Sequence, residues 1–254
     1  MTTTITVIGG PTALLELGGL RILTDPTFDP PGDHPAGPLT LTKTAGPALS
    51  PADIGRVDLV LLSHDQHPDN LDGLGRRMMS AVPLTLSTPE AAARTGVTPM
   101  LPWQHHDVGR VRVTAVPALH GPPGCEPVVG QVTGFVLTGH GLPTVYVSGD
   151  NASLACVELI AGRFPAVDIA LLFGGAARAP MIDERLTLNA AEMVAATRLL
   201  RARRVVPLHV DGWAHFTESQ SDVRAAFSEA GLDHLLVAPV PGRPVPLEEA
   251  GASW

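Results

Sequence analysis

Residues 57–75 constrain this chain more than any other stretch. The branched apolar run 57–62 reads as a buried strand, and it stops abruptly in a knot of polar groups: Ser63, His64, Asp65, Gln66, His67, Asp69 and Asn70. Leu71, Leu74 and Met78 follow at spacings of three and four, which predicts a helix with Asn70 as its N-cap. A strand, a ligand-bearing loop and a helix present several donors at one point without flexible arms. Two imidazoles and several carboxylates so close together have the composition of a metal site, whereas an ordinary polar loop needs no such mixture.

The same arrangement recurs along the chain. Short apolar runs at 4–8, 13–17, 20–24, 111–117, 133–138, 143–148, 168–173 and 204–208 are predicted strands. Asp25, His120, Asp150 and His209 each stand at or shortly after the end of such a run, as His64 and His67 do after theirs. In α/β architecture strand ends of this kind gather along one rim, where ligand sites form. Histidines placed only for packing or solvation would scatter over turns and faces, as His105, His106, His140 and His234 are expected to. One shared metal site is therefore predicted.

Further strands are expected at 83–87 and 234–239, and helices opened by Thr88, by Asn189 with Glu192, and by a capping box over 217–220. Residues 26–50 hold many Pro and Gly and show no period, which predicts a long loop. His34 within it reads as solvated, or as part of a lid. No composition shift or linker divides residues 1–254, which read as one domain.

Composition excludes several functions. The chain has 25 Asp and Glu against 17 Lys and Arg, with a net charge of −8, which disfavours a nucleic-acid partner. No apolar run reaches the roughly 20 residues of a membrane span. The two cysteines, Cys125 and Cys156, form no spaced motif, and the N-terminus has no secretory pattern. A cytoplasmic protein acting on a small molecule is the expectation, with homo-oligomerisation left open.

With these motifs identified, the chain resembles the metallo-β-lactamase superfamily, and in particular its cytoplasmic branch like L-ascorbate-6-phosphate lactonase. The resemblance covers nearly the whole chain: Thr-Asp-Pro at 24–26, Ser-His-Asp and Asp-Asn-Leu-Asp within 63–72, Ala-Leu-His-Gly at 118–121, Ser-Gly-Asp at 148–150 and Pro-Leu-His at 207–209. It implies an α/β fold, a four-layer αββα sandwich with its metal centre at one edge of two sheets. The family pattern His-x-His-x-Asp-His is one residue longer here, so two registers exist. Either His64 and His67 form the first pair, or strict spacing puts Gln66 second; two imidazoles make the better set. Asn70 stands where the family has its last His.

By resemblance, His64, His67 and His120 would hold a first ion and suit Zn²⁺. Asp69, His209, a bridging Asp150 and the Asn70 carbonyl would hold a second, a harder set suited to Mn²⁺, Mg²⁺ or Fe²⁺, or left empty. The expected cofactor is thus Zn²⁺ or Mn²⁺, as one ion or two. Asp25 would orient a ligand imidazole. The implied activity is hydrolysis of a lactone, ester or phosphoester by a metal-bound hydroxide. Asp69 would orient the water or take a proton, Asp150 would join the ions, and His215 would act as a hydrogen-bond donor. Arg178 reads equally as a partner for an anionic group on the substrate or as a solvated loop arginine. The alternative, left open by Gln66 and Asn70, is a catalytically degenerate member that binds metal or senses a ligand.

Overall fold

In the computed structural model, which describes residues 2–247, alternation along the strands sets the layers. β1 (Thr4–Gly9), β2 (Thr12–Leu17) and β3 (Leu20–Thr24) form the predicted antiparallel meander. β4 (Gly32–Ala36) and β5 (Leu39–Lys43) pair as a hairpin outside the main sheets. β6 (Leu59–Leu61), β7 (Thr85–Ser87) and β8 (Thr98–Pro99) then extend the first sheet in parallel from β3. The second sheet runs from β9 (His105–Val108) through β10 (Val111–Pro117) and β11 (Thr133–Thr138) to β12 (Val145–Val147), each antiparallel to the last. β13 (Ile169–Phe173) and β14 (Arg204–Leu208) continue it in parallel, and β15 (Val245–Pro246) returns to the first sheet beside β1.

Alternate residues serve different layers. Ile5, Leu15, Ile22, Leu59 and Leu61 of the first sheet meet Val113, Phe135, Val147, Ile169 and Leu171 of the second in one buried core. Val60 and Leu62 point the other way and pack with Ile54 of α1 (Pro51–Ile54), with Leu71, and with Met79 of α2 (Gly73–Met79). Two short helices, α3 (Pro89–Thr95) and α4 (Glu126–Val129), lie in connections. The outer face of the second sheet, including Tyr146, Ala170 and Leu172, is covered by α5 (Leu154–Arg163), α6 (Ala190–Leu200) and α7 (Gln220–Glu229). The layers are helix, sheet, sheet, helix: the αββα sandwich that the sequence led us to expect. No helix among the described residues is long and apolar enough to cross a membrane.

Several local expectations are corrected. Residues 26–50 are not a plain loop, because they contain the β4–β5 hairpin. Gly37 at φ 61° followed by Pro38 makes a two-residue turn between Ala36 and Leu39. The N-cap of α2 is Asp72, which accepts from the Gly75 N–H at 2.8 Å, while Asp29 accepts from Gly73 and Leu74 at 2.9 Å each. Asn70 is fully buried and its amide is committed elsewhere. His105 and His106 lie within β9 rather than in a turn. The box opening α7 uses Ser219 and Asp222, because the Thr217 hydroxyl donates to the Ala176 carbonyl instead. Residues 234–239 hold a 3₁₀ turn, Asp233–Leu235, and an isolated bridge from Leu236 to Val205 in place of the expected strand. The capping box of Asn189 and Glu192 forms as predicted.

At Gly75 an added Cβ would sit 1.8 Å from the Pro26 carbonyl oxygen, a backbone atom that cannot swing aside. Gly75→Ala is expected to lower unfolding free energy by about 1–3 kcal/mol in urea titrations. Gly162→Ala, in α5 with open space around it, is expected to raise it by about 0.5–1 kcal/mol in the same assay.

Candidate metal centre

The parallel pairing of β3 with β6, and of β12, β13 and β14, brings several strand ends to one edge. Asp25 follows β3, His64 follows β6, His120 follows β10, Asp150 follows β12 and His209 follows β14. Two groups form there. His64, His67 and His120 make one, Asp69, Asp150 and His209 the other, and within each group the donor atoms lie within 4.8 Å of one another. Asp150 faces both: its Oδ2 is 3.8 Å from His120 Nε2 and its Oδ1 is 3.5 Å from His209 Nδ1. Asp69 Oδ2 lies 3.3 Å from His209 Nε2 and 3.1 Å from His215 Nε2.

The loop of residues 63–72 takes the longer of the two registers. His64 Nε2 and His67 Nδ1 stand 2.9 Å apart. The Gln66 side chain packs against Gly130, where an added Cβ would be 2.2 Å from Gln66 Nε2. The loop is pinned by Asp65, itself buried. Arg94 grips its carboxylate with Nε and Nη2, at 3.0 Å and 2.5 Å, and Arg76 donates to its carbonyl at 2.6 Å. Both arginines come from the helices that flank β7. Nothing in the sequence singles out Arg94 for this task.

Neighbouring groups fix the imidazoles. Leu186 O accepts from His120 Nδ1 at 2.8 Å, which leaves Nε2 free to face Asp150. Ser63 Oγ lies 2.9 Å from His64 Nδ1 and donates to Asp25 Oδ2 at 2.6 Å, so His64 also turns Nε2 inward. Asp25 additionally accepts from the Ser63 N–H at 2.6 Å. It thus orients a ligand-type imidazole as expected, but through Ser63, which sequence reasoning missed. The Asn70 amide donates to Asp25 Oδ2 at 3.0 Å and to Asp150 Oδ1 at 2.9 Å.

Protonation suits cation binding. Burial, and then His67 and His120, hold the His64 imidazole well below its usual range. Burial, followed by His120, pushes His67 down to about 4. Both are therefore neutral lone-pair donors at neutral pH. Burial pushes the Asp69 carboxyl up, but the imidazoles of His209 and His215 outweigh it and hold the carboxyl well below the usual range. Burial likewise depresses His209, yet Asp150 and Asp69 together raise it above its ordinary value.

The donors fit a divalent ion on their own chemistry. Asp69 Oδ1, Asn70 Oδ1 and both ring nitrogens of His209 are buried without a hydrogen-bond partner. Orphaned lone pairs of this kind are costly in a protein interior, and a cation satisfies them. His215 and Arg178 line the adjoining cleft, and Arg178 Nη1 donates to the Asp183 carbonyl at 2.7 Å. Adding a divalent ion is expected to raise the melting temperature of the wild-type chain, and His120→Ala to remove that rise. Ser63→Ala should weaken ion affinity roughly 10–100-fold in chelator competition, because His64 loses its anchor.

Comparison with known proteins agrees with this geometry. Residues 20–210 match the model of the beta-lactamase superfamily domain. A UPF0173 metal-dependent hydrolase of Natranaerobius thermophilus is 32% identical over 210 residues, covering 81% of this chain and 82% of the relative. The solved isothiocyanate hydrolase from Delia radicum gut bacteria has a TM-score of 0.82 at 21% identity, covering 95% of this chain and 98% of that one. Igni18, a metallo hydrolase from Ignicoccus hospitalis, reaches a TM-score of 0.74 at 20% identity, covering 98% and 100%. These two structures share the fold. The domain match and the curated relative place the chain in a family: it belongs to the metallo-β-lactamase superfamily, among its metal-dependent hydrolases.

Proposed function

We propose that this chain hydrolyses a lactone, ester or phosphoester bond in a small molecule, using one or two divalent ions. One observation carries the reading: two donor groups, with Asp150 of one lying 3.8 Å from His120 of the other, meet at a cleft that His215 also lines. His64, His67 and His120 would hold one ion and suit Zn²⁺. Asp69, Asp150, His209 and the unpartnered Asn70 carbonyl oxygen would hold the other, a more oxygen-rich set that suits Mn²⁺. When bound, the ions supply Lewis acidity, making water more acidic and polarising the substrate oxygen.

The chain's own residues supply the proton handling. His215 Nε2 lies 3.1 Å from Asp69 Oδ2, and its Nδ1 is buried without a hydrogen-bond partner. That nitrogen can take a proton from the attacking water. The resulting imidazolium, stabilised by Asp69, then returns the proton to the leaving oxygen. Phe216, with its ring centroid 4.6 Å from that of His215, limits how far the imidazole can turn.

A second reading is a metal-binding sensor without turnover. Asn70 favours it, since an amide tied to two carboxylates is a weaker donor than an imidazole. Elemental analysis together with a panel of lactones, esters and phosphoesters separates the two readings. The hydrolase reading expects turnover that chelation abolishes, and a His215→Ala loss of about 10²–10⁴-fold in kcat with metal content unchanged. Full ion loading with no turnover across the panel would leave the sensor.

A further inference from the structure

We propose that the cleft selects neutral carboxylic esters or lactones carrying an apolar chain or ring, and discriminates against phosphoesters and other anions. The inference rests on the hydrolase reading of the same site and narrows it to one substrate class. The floor is polar, but the walls are not. Leu39 and Leu41 face the cleft from the β4–β5 hairpin, Val129 and Leu186 face it from the second-sheet side, and Met181 and Ile182 stand at the mouth. The hairpin achieves this by alternation: Leu39 and Leu41 are half-buried, while Thr40 and Thr42 are exposed on the other face.

Charge at the mouth points the same way. Arg178 is the sole cation among the lining residues, and part of its guanidinium is taken by the Asp183 carbonyl. Neighbouring Arg185 is paired with Glu192 at 2.5 Å. Above the donors at the floor, a phosphate group entering here meets apolar side chains and one half-committed guanidinium, not the forked cations that phosphate recognition uses.

An apolar chain finds better partners. Met181 and Val128 are 61% and 59% exposed, large side chains for which a chain lying in the cleft would exclude water. The cavity measures about 100 Å³, roughly three waters at about 30 Å³ each, so it takes a short apolar chain and leaves the rest of a longer one against the exposed side chains at the mouth. In the reaction, water adds its oxygen to the ester carbon and the bond to the alcohol oxygen breaks. The water proton ends on that leaving oxygen, giving an acid and an alcohol. The acid ionises in solution.

The test uses the ion-reconstituted full chain and two readouts. The first is kcat/KM for p-nitrophenyl acetate, butyrate and hexanoate beside p-nitrophenyl phosphate and bis(p-nitrophenyl) phosphate. The second is calorimetric affinity for acetohydroxamate, hexanohydroxamate and hexylphosphonate. We expect kcat/KM to rise at least tenfold from acetate to hexanoate, against a ceiling of about fourfold per methylene. Hexanohydroxamate should bind more tightly than acetohydroxamate and than hexylphosphonate. Leu41→Glu should flatten both gradients, and the milder Leu41→Ala should shrink them. A gradient that is flat or falls with chain length, or phosphoesters cleaved in preference to esters, would overturn the substrate class while leaving the hydrolase reading intact. A hydroxamate gradient with no cleavage of any substrate would uphold the cleft's selectivity and overturn the hydrolase reading instead.

Discussion

The amide of Asn70 lies between two buried carboxylates, and the site edge of the sandwich depends on it. Asp25 ends a strand of the first sheet and Asp150 ends a strand of the second. Both are about 1% exposed. Burial, and then the Asp150 charge, pushes the Asp25 carboxyl up to about 7, even with Ser63 and Asn70 donating to it. One neutral amide touching both acids offsets part of their repulsion and ties the two sheets together at the site. Through Ser63, the same network continues to His64. Asn70 therefore has a defined task in this chain. An imidazole there could ligate a cation, whereas the amide spans two acids.

The parts of the molecule legible in the sequence were those written locally. An apolar run that stops on His or Asp needs no tertiary knowledge to read, and five of these in order were enough to predict the rim and its ligand-type residues, while the layers followed from the family resemblance those motifs carry. The Asn189 box was equally local. Where two good residues competed, tertiary burial decided: Asn70 and Asp72 are both credible N-caps, and only the fold shows that Asn70 is spent on Asp25 and Asp150. The link from His120 to Leu186 could not be read because its acceptor is a backbone carbonyl, which carries no residue signal. In the β4–β5 hairpin, Pro and Gly obscured a short alternation of Leu and Thr. The register of His64 and His67 depended on where Gln66 could pack, which spacing alone cannot tell.

The hairpin is joined to the catalytic edge more firmly than its place outside both sheets suggests. Lys43, the only lysine in the chain, is buried at its end and reaches Asp72 at 3.3 Å. Burial lowers the Lys43 ammonium from its ordinary range even with that carboxylate beside it. Its charge also lies 5.5 Å from the Trp213 ring. Backbone bonds from Thr44 to Gly212 and from Ala214 to Thr42 stitch the same strand to the segment that carries His215. The cleft wall, the His215 imidazole and the cap of α2 are thereby held in one register.

Two residues at the rim adopt a backbone that L side chains rarely take. Asp25 has φ 23° and His209 has φ 56°, each immediately after its strand. Glycine would sit there with less strain, by about 1–2 kcal/mol. At Asp25, however, glycine would strand the Ser63 and Asn70 donors. At His209, whose ring nitrogens have no hydrogen-bond partner, folding and chemistry pull in opposite directions. A lineage, or a designer, rewarding thermostability alone would drift towards glycine at His209 and would dismantle the centre while improving the fold.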